Sequence, residues 1–264
     1  ARGTVRRCAV IRVGQARVLA ANRLLAGRSG EMLVRRGVCA LGRAGIHLVS
    51  ATNERAMSQD LEISQVMKRV LRVDSTVLDV GAHRGLYLRQ ATRLAPKGEH
   101  IAIEPLPELA RLLRRRFPRA DVREVAVSDQ PGTSQFRRVL SAPGYSGFSR
   151  REYDDYEERV ELIQVRVERL DDIVGDRPVR FVKIDVEGVE LDVLRGAREL
   201  LRRERPYVVV DGLPLDAWVE FEAAGMVISN PIDWLAGRPP LTRPDLEREM
   251  RSGRWSYLAH RPND

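Results

Sequence analysis

Along residues 56–211 the apolar positions follow two alternating patterns, short continuous runs bounded by turn residues and longer segments with apolar positions at helical spacing. Thr76–Val80, His100–Ile103, Val122–Val127, Arg180–Ile184 and Tyr207–Val210 are runs of the first kind and predict buried strands. Glu62–Leu71 ahead of them, and Leu86–Leu94, Pro107–Phe117 and Val189–Arg203 between them, predict helices; the second stops before Pro96 and Gly98. Residues 131–170 break the alternation and read as a hairpin-rich insertion, with strand-like Ser134–Leu140 and Leu162–Val167. Met226–Ser229 and Trp255–Ala259 predict further strands. Strands separated by helix-length segments imply a mainly parallel sheet covered on both faces, a Rossmann-like α/β domain. In such sheets ligands bind beyond the carboxyl ends of the strands, where strand order reverses.

Residues 1–50 have a different texture. Val10, Val13, Leu24, Leu25, Leu33, Val34 and Leu41 recur at helix-like spacing but are interrupted by six glycines, which predicts short helices. The chain is thus read as a basic, mostly helical arm over 1–55 and one domain over 56–264, long enough to bury a core without staples. Arg12 and Arg17 break any apolar stretch, against a signal peptide.

Charge sharpens this division. The net charge of +8 is concentrated in the arm: residues 1–50 carry +9 and the other 214 sum to −1. Of the 45 basic residues 42 are Arg, a skew that reads as codon bias rather than a nucleic-acid surface. The arm is read as a flap packed on the main domain or, alternatively, as a peripheral contact with anionic membrane phosphates or an acidic substrate carrier. The longest stretch free of Asp, Glu, Lys and Arg is the eleven residues from Val139 to Ser149, so no membrane-spanning helix is expected. Cys8 and Cys39 cannot make a disulfide framework, which fits a reducing, cytoplasmic setting.

The candidate chemistry lies at the strand ends. VLDVGAHRG, Val77–Gly85, places Asp79 in the first strand and Gly81 and Gly85 where backbone must bend. A dinucleotide site prefers G-x-G-x-x-G, but here the middle glycine is missing and His83 stands in the loop. A ligand with an amino-acid end and a ribose end suits this turn better, and S-adenosylmethionine is such a ligand. Glu104, ending the second strand, can accept both ribose hydroxyls. Ser128 and Asp129 follow the third strand and can either reach an adenine or open the turn Asp-Gln-Pro-Gly. In FVKIDVEGVELDVLRGA, Phe181–Ala197, the ionisable Lys183, Asp185 and Glu187 cluster at a strand exit, costly unless paired or functional. With only two carboxylates there and no His nearby in sequence, no metal is expected.

These segments, with IAIEPLP, VAVSDQPG and VERLDDI, stand in the order found in FkbM-type methyltransferases, and over roughly residues 56–211 the chain resembles that family. The resemblance implies a class I methyltransferase fold, with a seven-stranded mostly parallel sheet and helices on both faces. It also implies S-adenosylmethionine as cofactor. It carries over Asp79, Gly81, Ala82, Gly85 and Glu104 as cofactor contacts, and Ser128 and Asp129 as adenine contacts. Lys183, Asp185 and Glu187 match the signature beside the methyl-transfer site. Two positions depart from the pattern: His83 replaces a usual Asn, and Asp211 stands where a Glu commonly ends the fifth strand.

The expected reaction is in-line attack of an acceptor oxygen on the donor methyl, with Asp185 or Glu187 as base or orienting group, Lys183 setting its charge and His83 as second candidate. Tyr145, Ser146 and Phe148 in the insertion are expected to face the acceptor, a hydroxyl of a sugar, glycolipid or polyketide-type product. Two readings compete. One is an NAD-dependent oxidoreductase, disfavoured by the glycine pattern; the other is a non-catalytic anion-binding module using the basic arm.

Overall fold

A computed structural model of the protein describes residues 51–140, 144, 146–148 and 159–264. The basic arm, up to residue 50, lies outside the described residues, as do Tyr145, Ser149 and the charge run from Arg150 to residue 158. Two compact units divide the chain, Ala1–Ile63 and Ser64–Asp264. Helix α1 (Ala51–Val70) begins ahead of the Glu62–Leu71 pattern because neither Gly nor Pro interrupts the segment.

The second unit continues with β1 (Val77–Val80), α2 (Leu86–Leu94), β2 (Ile101–Ile103), α3 (Pro107–Arg116), β3 (Asp121–Arg123), β4 (Ala126–Val127), β5 (Gly132–Val139) and β6 (Val160–Glu168). It runs on through α4 (Leu170–Val174), β7 (Phe181–Ile184), α5 (Glu190–Arg195), α6 (Arg198–Glu204) and β8 (Tyr207–Asp211). The last elements are α7 (Ala217–Ala223), β9 (Val227–Ser229), α8 (Pro231–Leu235), α9 (Arg243–Arg251) and β10 (Ser256–His260).

Seven strands form one sheet in the order β3-β2-β1-β7-β8-β10-β9. Neighbours from β3 to β8 pair in parallel, whereas β10 runs antiparallel to both β8 and β9. Every residue of β1, β2 and β7 is buried, as expected of central strands covered on both faces. Alternation along the strands assigns the faces. Leu78, Val80, Ile101, Ile103, Val182 and Ile184 join one cluster with Val193, Leu194, Leu200 and Phe221, while Ala102 faces Leu88, Ala110 and Leu113 on the other side. The chain moves from β1 outward to β3 and returns to β7 on the far side of β1. Strand order therefore reverses between β1 and β7, which opens a crevice at their carboxyl ends.

Two further elements differ from the sequence pattern. The apolar run Val122–Val127 is not one strand: β3 joins the large sheet, and β4 pairs in parallel with β6 in a three-stranded sheet of order β4-β6-β5. The bend falls at Glu124–Val125, and Val125 stays fully buried, so one hydrophobic run serves two sheets. The helix expected over Val189–Arg203 is broken into α5 and α6. There the Gly196 carbonyl accepts the Asp171 N–H at 2.9 Å, while the Asp171 carboxylate accepts the N–H groups of Glu199 and Leu200 at 3.1 and 2.9 Å. The first aspartate of VERLDDI thus caps a helix distant in sequence. The insertion, as its pattern predicts, holds an antiparallel strand pair, β5–β6, which carries Phe136, Val165 and Val167 onto Leu106 and Leu109.

Candidate functional site

The turn after β1 begins with two main-chain N–H groups, of Gly81 and Ala82, donating to the Ile103 carbonyl, each at 3.0 Å. Gly81 has φ +77°, and a Cβ there would lie 1.9 Å from the Asp185 carbonyl oxygen, so only glycine permits this contact between the ends of β1 and β7. Gly85, at φ +79°, caps α2; its Cβ would meet Phe117 at 2.6 Å and Leu113 at 2.8 Å. This glycine admits α3 rather than a ligand. His83 between them also takes a left-handed conformation, φ +47°, and its N–H donates to Glu104 Oε2 at 2.8 Å. Glu104 Oε1 accepts the Leu106 N–H at 2.9 Å. Two backbone donors therefore hold the buried Glu104 carboxylate at the end of β2. Burial pushes its pKa up from 4.5 to about 7, against the stabilising Leu106 and His83 N–H groups.

Beneath the turn lies a buried ionic layer. Lys183 is fully buried, with Nζ 2.7 Å from Asp211 Oδ2, 4.0 Å from Asp185 Oδ2 and 5.4 Å from the centroid of the Tyr87 ring. Burial opposes its charge, but Asp211 and Asp185 outweigh that and raise its pKa above the ordinary 10.5. The Ser256 hydroxyl donates to the other oxygen of Asp211. Asp79, 1% exposed, accepts the Leu88 N–H at 2.9 Å, and burial raises its pKa from 3.8 to about 7 in spite of Lys183.

Above this layer is a pocket of about 580 Å³ including its open mouth. Glu104 and His83 stand on one side, Asp185 and Glu187 on the other, and Ile103, Val125 and Ala126 supply apolar surface. The hairpin closes it with Phe136 and Phe148, whose rings meet edge to face at 5.4 Å, and with Ser146, whose Oγ accepts the Val139 N–H at 3.0 Å. Main chain at Gly147 packs directly against Glu187. Apart from His83, the ionisable groups among the described lining residues are all carboxylates, so the pocket favours a cation.

Of the residues singled out from sequence, Gly81, His83, Glu104, Asp185, Glu187, Ser146 and Phe148 line one pocket. Asp79, Ala82, Gly85 and Lys183 lie behind its wall and shape it. The main chain of Ser128 and Asp129 packs on Gly196 between α5 and α6, and Ser128 Oγ donates to Asp129 Oδ1 at 3.3 Å. The β3–β4 bend brings Val125, Ala126 and Val127 to the pocket lining, while Ser128 and Asp129 are not among the residues that line it. Tyr145 lies outside the described residues. Two features escaped the sequence reading. One is the Lys183–Asp211 pair, detectable only once β7 and β8 are known to be neighbours; the other is Phe136, whose alternation marks it as inward-facing but not toward what.

An acidic crevice at the strand-order reversal, with a buried acid ending β2, suits a donor that carries a ribose and a positive charge, and S-adenosylmethionine fits these residues. Strand order and crevice together define a class I methyltransferase domain, the class that uses this donor. The chain belongs to the FkbM methyltransferase family, whose domain matches residues 79–225. It is 31% identical to the AMB antimetabolite synthetase AmbE of Pseudomonas aeruginosa over 52% of this chain and 8% of that protein. It is 28% identical to the 2-O-methyltransferase NoeI of Sinorhizobium fredii over 53% of this chain and 65% of that one. The chain thus spans less than two thirds of either relative. A solved FkbM methyltransferase from Methylobacillus flagellatus aligns with a TM-score of 0.42 and 18% identity, over 72% of this chain and 44% of that one. Among the described residues, no helix is long and apolar enough to cross a membrane.

Proposed function

We propose that this protein transfers a methyl group to a hydroxyl oxygen of a sugar, glycolipid or polyketide-type acceptor. The observation that carries the reading is the pair of carboxylates, Asp185 and Glu187, facing Glu104 across one pocket. The similarity to NoeI, named a 2-O-methyltransferase, supports oxygen as the accepting atom.

When bound, S-adenosylmethionine supplies an already activated methyl group. The chain's own task is then alignment, which can be worth ~7–11 kcal/mol, and removal of one proton. Glu104 holds the ribose hydroxyls from a position fixed by two backbone N–H groups. Asp185, with 48% of its side chain exposed, is the base for the acceptor hydroxyl, and buried Lys183 lies 4.0 Å from its carboxylate. Glu187 and Ser146 orient the acceptor, while Phe136 and Phe148 exclude water and offer faces to a sugar ring. Incubating the protein with S-adenosylmethionine and neutral glycans or polyketide alcohols, followed by mass spectrometry, should show a donor-dependent gain of one methylene mass on oxygen. Transfer confined to nitrogen would refute the reading.

A further inference from the structure

A second concavity, of about 720 Å³ including its open side, lies at the other end of the sheet. Its lining includes Thr76, Arg180 and Pro206, the residues that precede β1, β7 and β8, together with Arg72, Arg205 and Arg261. It is therefore separated from the acidic pocket by the length of a strand, about 10 Å. We infer that this groove is a binding site for a phosphate-bearing ligand, held by Arg72, Arg180, Arg205 and Arg261.

The four guanidiniums are not committed to carboxylates, as several others in the molecule are. Arg114, Arg198 and Arg238 are engaged by Glu124, Glu220 and Asp233 at 2.8, 2.6 and 2.6 Å. Among the described residues, no ion pair includes any of the four groove arginines. The carboxylates that line the groove are Asp74, exposed at its rim, and Glu204, which Arg203 engages at 2.9 Å. Two of the four are pre-positioned. Arg261 donates to the Glu204 and Arg205 carbonyls at 2.7 and 3.4 Å, at the end of α6. Arg180 donates from Nε to the Val70 carbonyl at 3.3 Å and stacks 5.0 Å over the centroid of the Tyr207 ring. A guanidinium carries five N–H donors, so both retain donors for a ligand.

Arg205 supplies a separate argument. It occupies the C-cap of α6 with φ +44°, a conformation natural to glycine and strained for a residue with a Cβ. Arginine at a position where glycine would be easier points to a use for its side chain. Planar forks match the oxygens of phosphate in pairs, and a group of four suits a multiply charged anion better than a single carboxylate.

The test titrates inorganic pyrophosphate into the full chain by calorimetry and, in parallel, sediments the protein with phosphatidylglycerol vesicles. Wild type is compared with Arg72→Gln and Arg205→Gly, and S-adenosylmethionine affinity serves as the control for folding. Arg205→Gly relaxes the backbone while deleting the guanidinium, so lost binding cannot be ascribed to misfolding. Each variant should weaken binding by about tenfold with donor affinity unchanged. Weakening of pyrophosphate binding identifies a soluble phosphate compound as the ligand; weakening of vesicle binding alone identifies a lipid headgroup. If neither variant weakens either interaction, the groove is not a phosphate site.

Discussion

The two walls of the pocket use carboxylates in opposite ways. On the donor wall, the β2 side, Glu104 lines the pocket and Asp79 lies behind it; both are buried, and each takes a hydrogen bond from backbone N–H. Burial raises both toward neutrality, so position is secured at the expense of charge. On the acceptor wall, Asp185 is half exposed and follows a strand whose buried Lys183 lies 4.0 Å away. A group that must bind the same ligand in every cycle can be fixed by backbone and burial. On the function proposed above, the group that takes the proton of the acceptor hydroxyl must be reachable by that acceptor, which an exposed carboxylate allows.

The largest effect expected from breaking this arrangement is at the shared floor. Lys183→Met leaves Asp211 and Asp79 without their buried counter-charge and should cost about 3–5 kcal/mol in denaturant unfolding. Adding Asp211→Asn should recover part of that loss. Asp185→Asn tests the acceptor wall: turnover should fall about a hundredfold, roughly 2.7 kcal/mol, with donor affinity in calorimetry unchanged. Full activity would remove its role as base.

The donor wall should respond to pH. The folded-state pKa values of Asp79 and Glu104, about 7, exceed their ordinary values of 3.8 and 4.5, so the folded protein holds extra protons between these limits. The stability they contribute is complete below the lower values and is lost as pH rises through 7. A cationic donor favours the ionised forms, so its affinity should rise about tenfold per carboxylate between pH 6 and 8. Glu104→Gln should remove one such increment, about 1.4 kcal/mol, and flatten the titration. The smallest effect lies outside both walls. Leu162, 62% exposed on the outer face of β6, should tolerate Ser within about 0.5 kcal/mol by thermal unfolding.

Much of this was legible from local pattern. The buried runs at β1, β2, β7 and β8, the glycine turn and Glu104 at a strand end are signals carried within a few residues, and the strands stand where the pattern places them. The segment leading to Ser128 and Asp129 shows what local reading leaves out. The run Val122–Val127 looks continuous, but pairing with β6 bends it: Val125, Ala126 and Val127 line the pocket, and the main chain of Ser128 and Asp129 packs on Gly196 between α5 and α6. The long helix expected over Val189–Arg203 fails for a related reason, since its break is stabilised by Asp171 from another element.

Periodicity and turn chemistry by themselves determined the class of fold, the end of the sheet where the site lies and the residue types that meet there, because each depends on neighbours a few positions apart. Tertiary structure alone decided that Lys183 is neutralised by Asp211, that Asp79 supports the turn from behind, and that four arginines from distant segments converge at the opposite end. Burial and charge pairing depend on distances across strands, and no local pattern encodes which strand will become a neighbour.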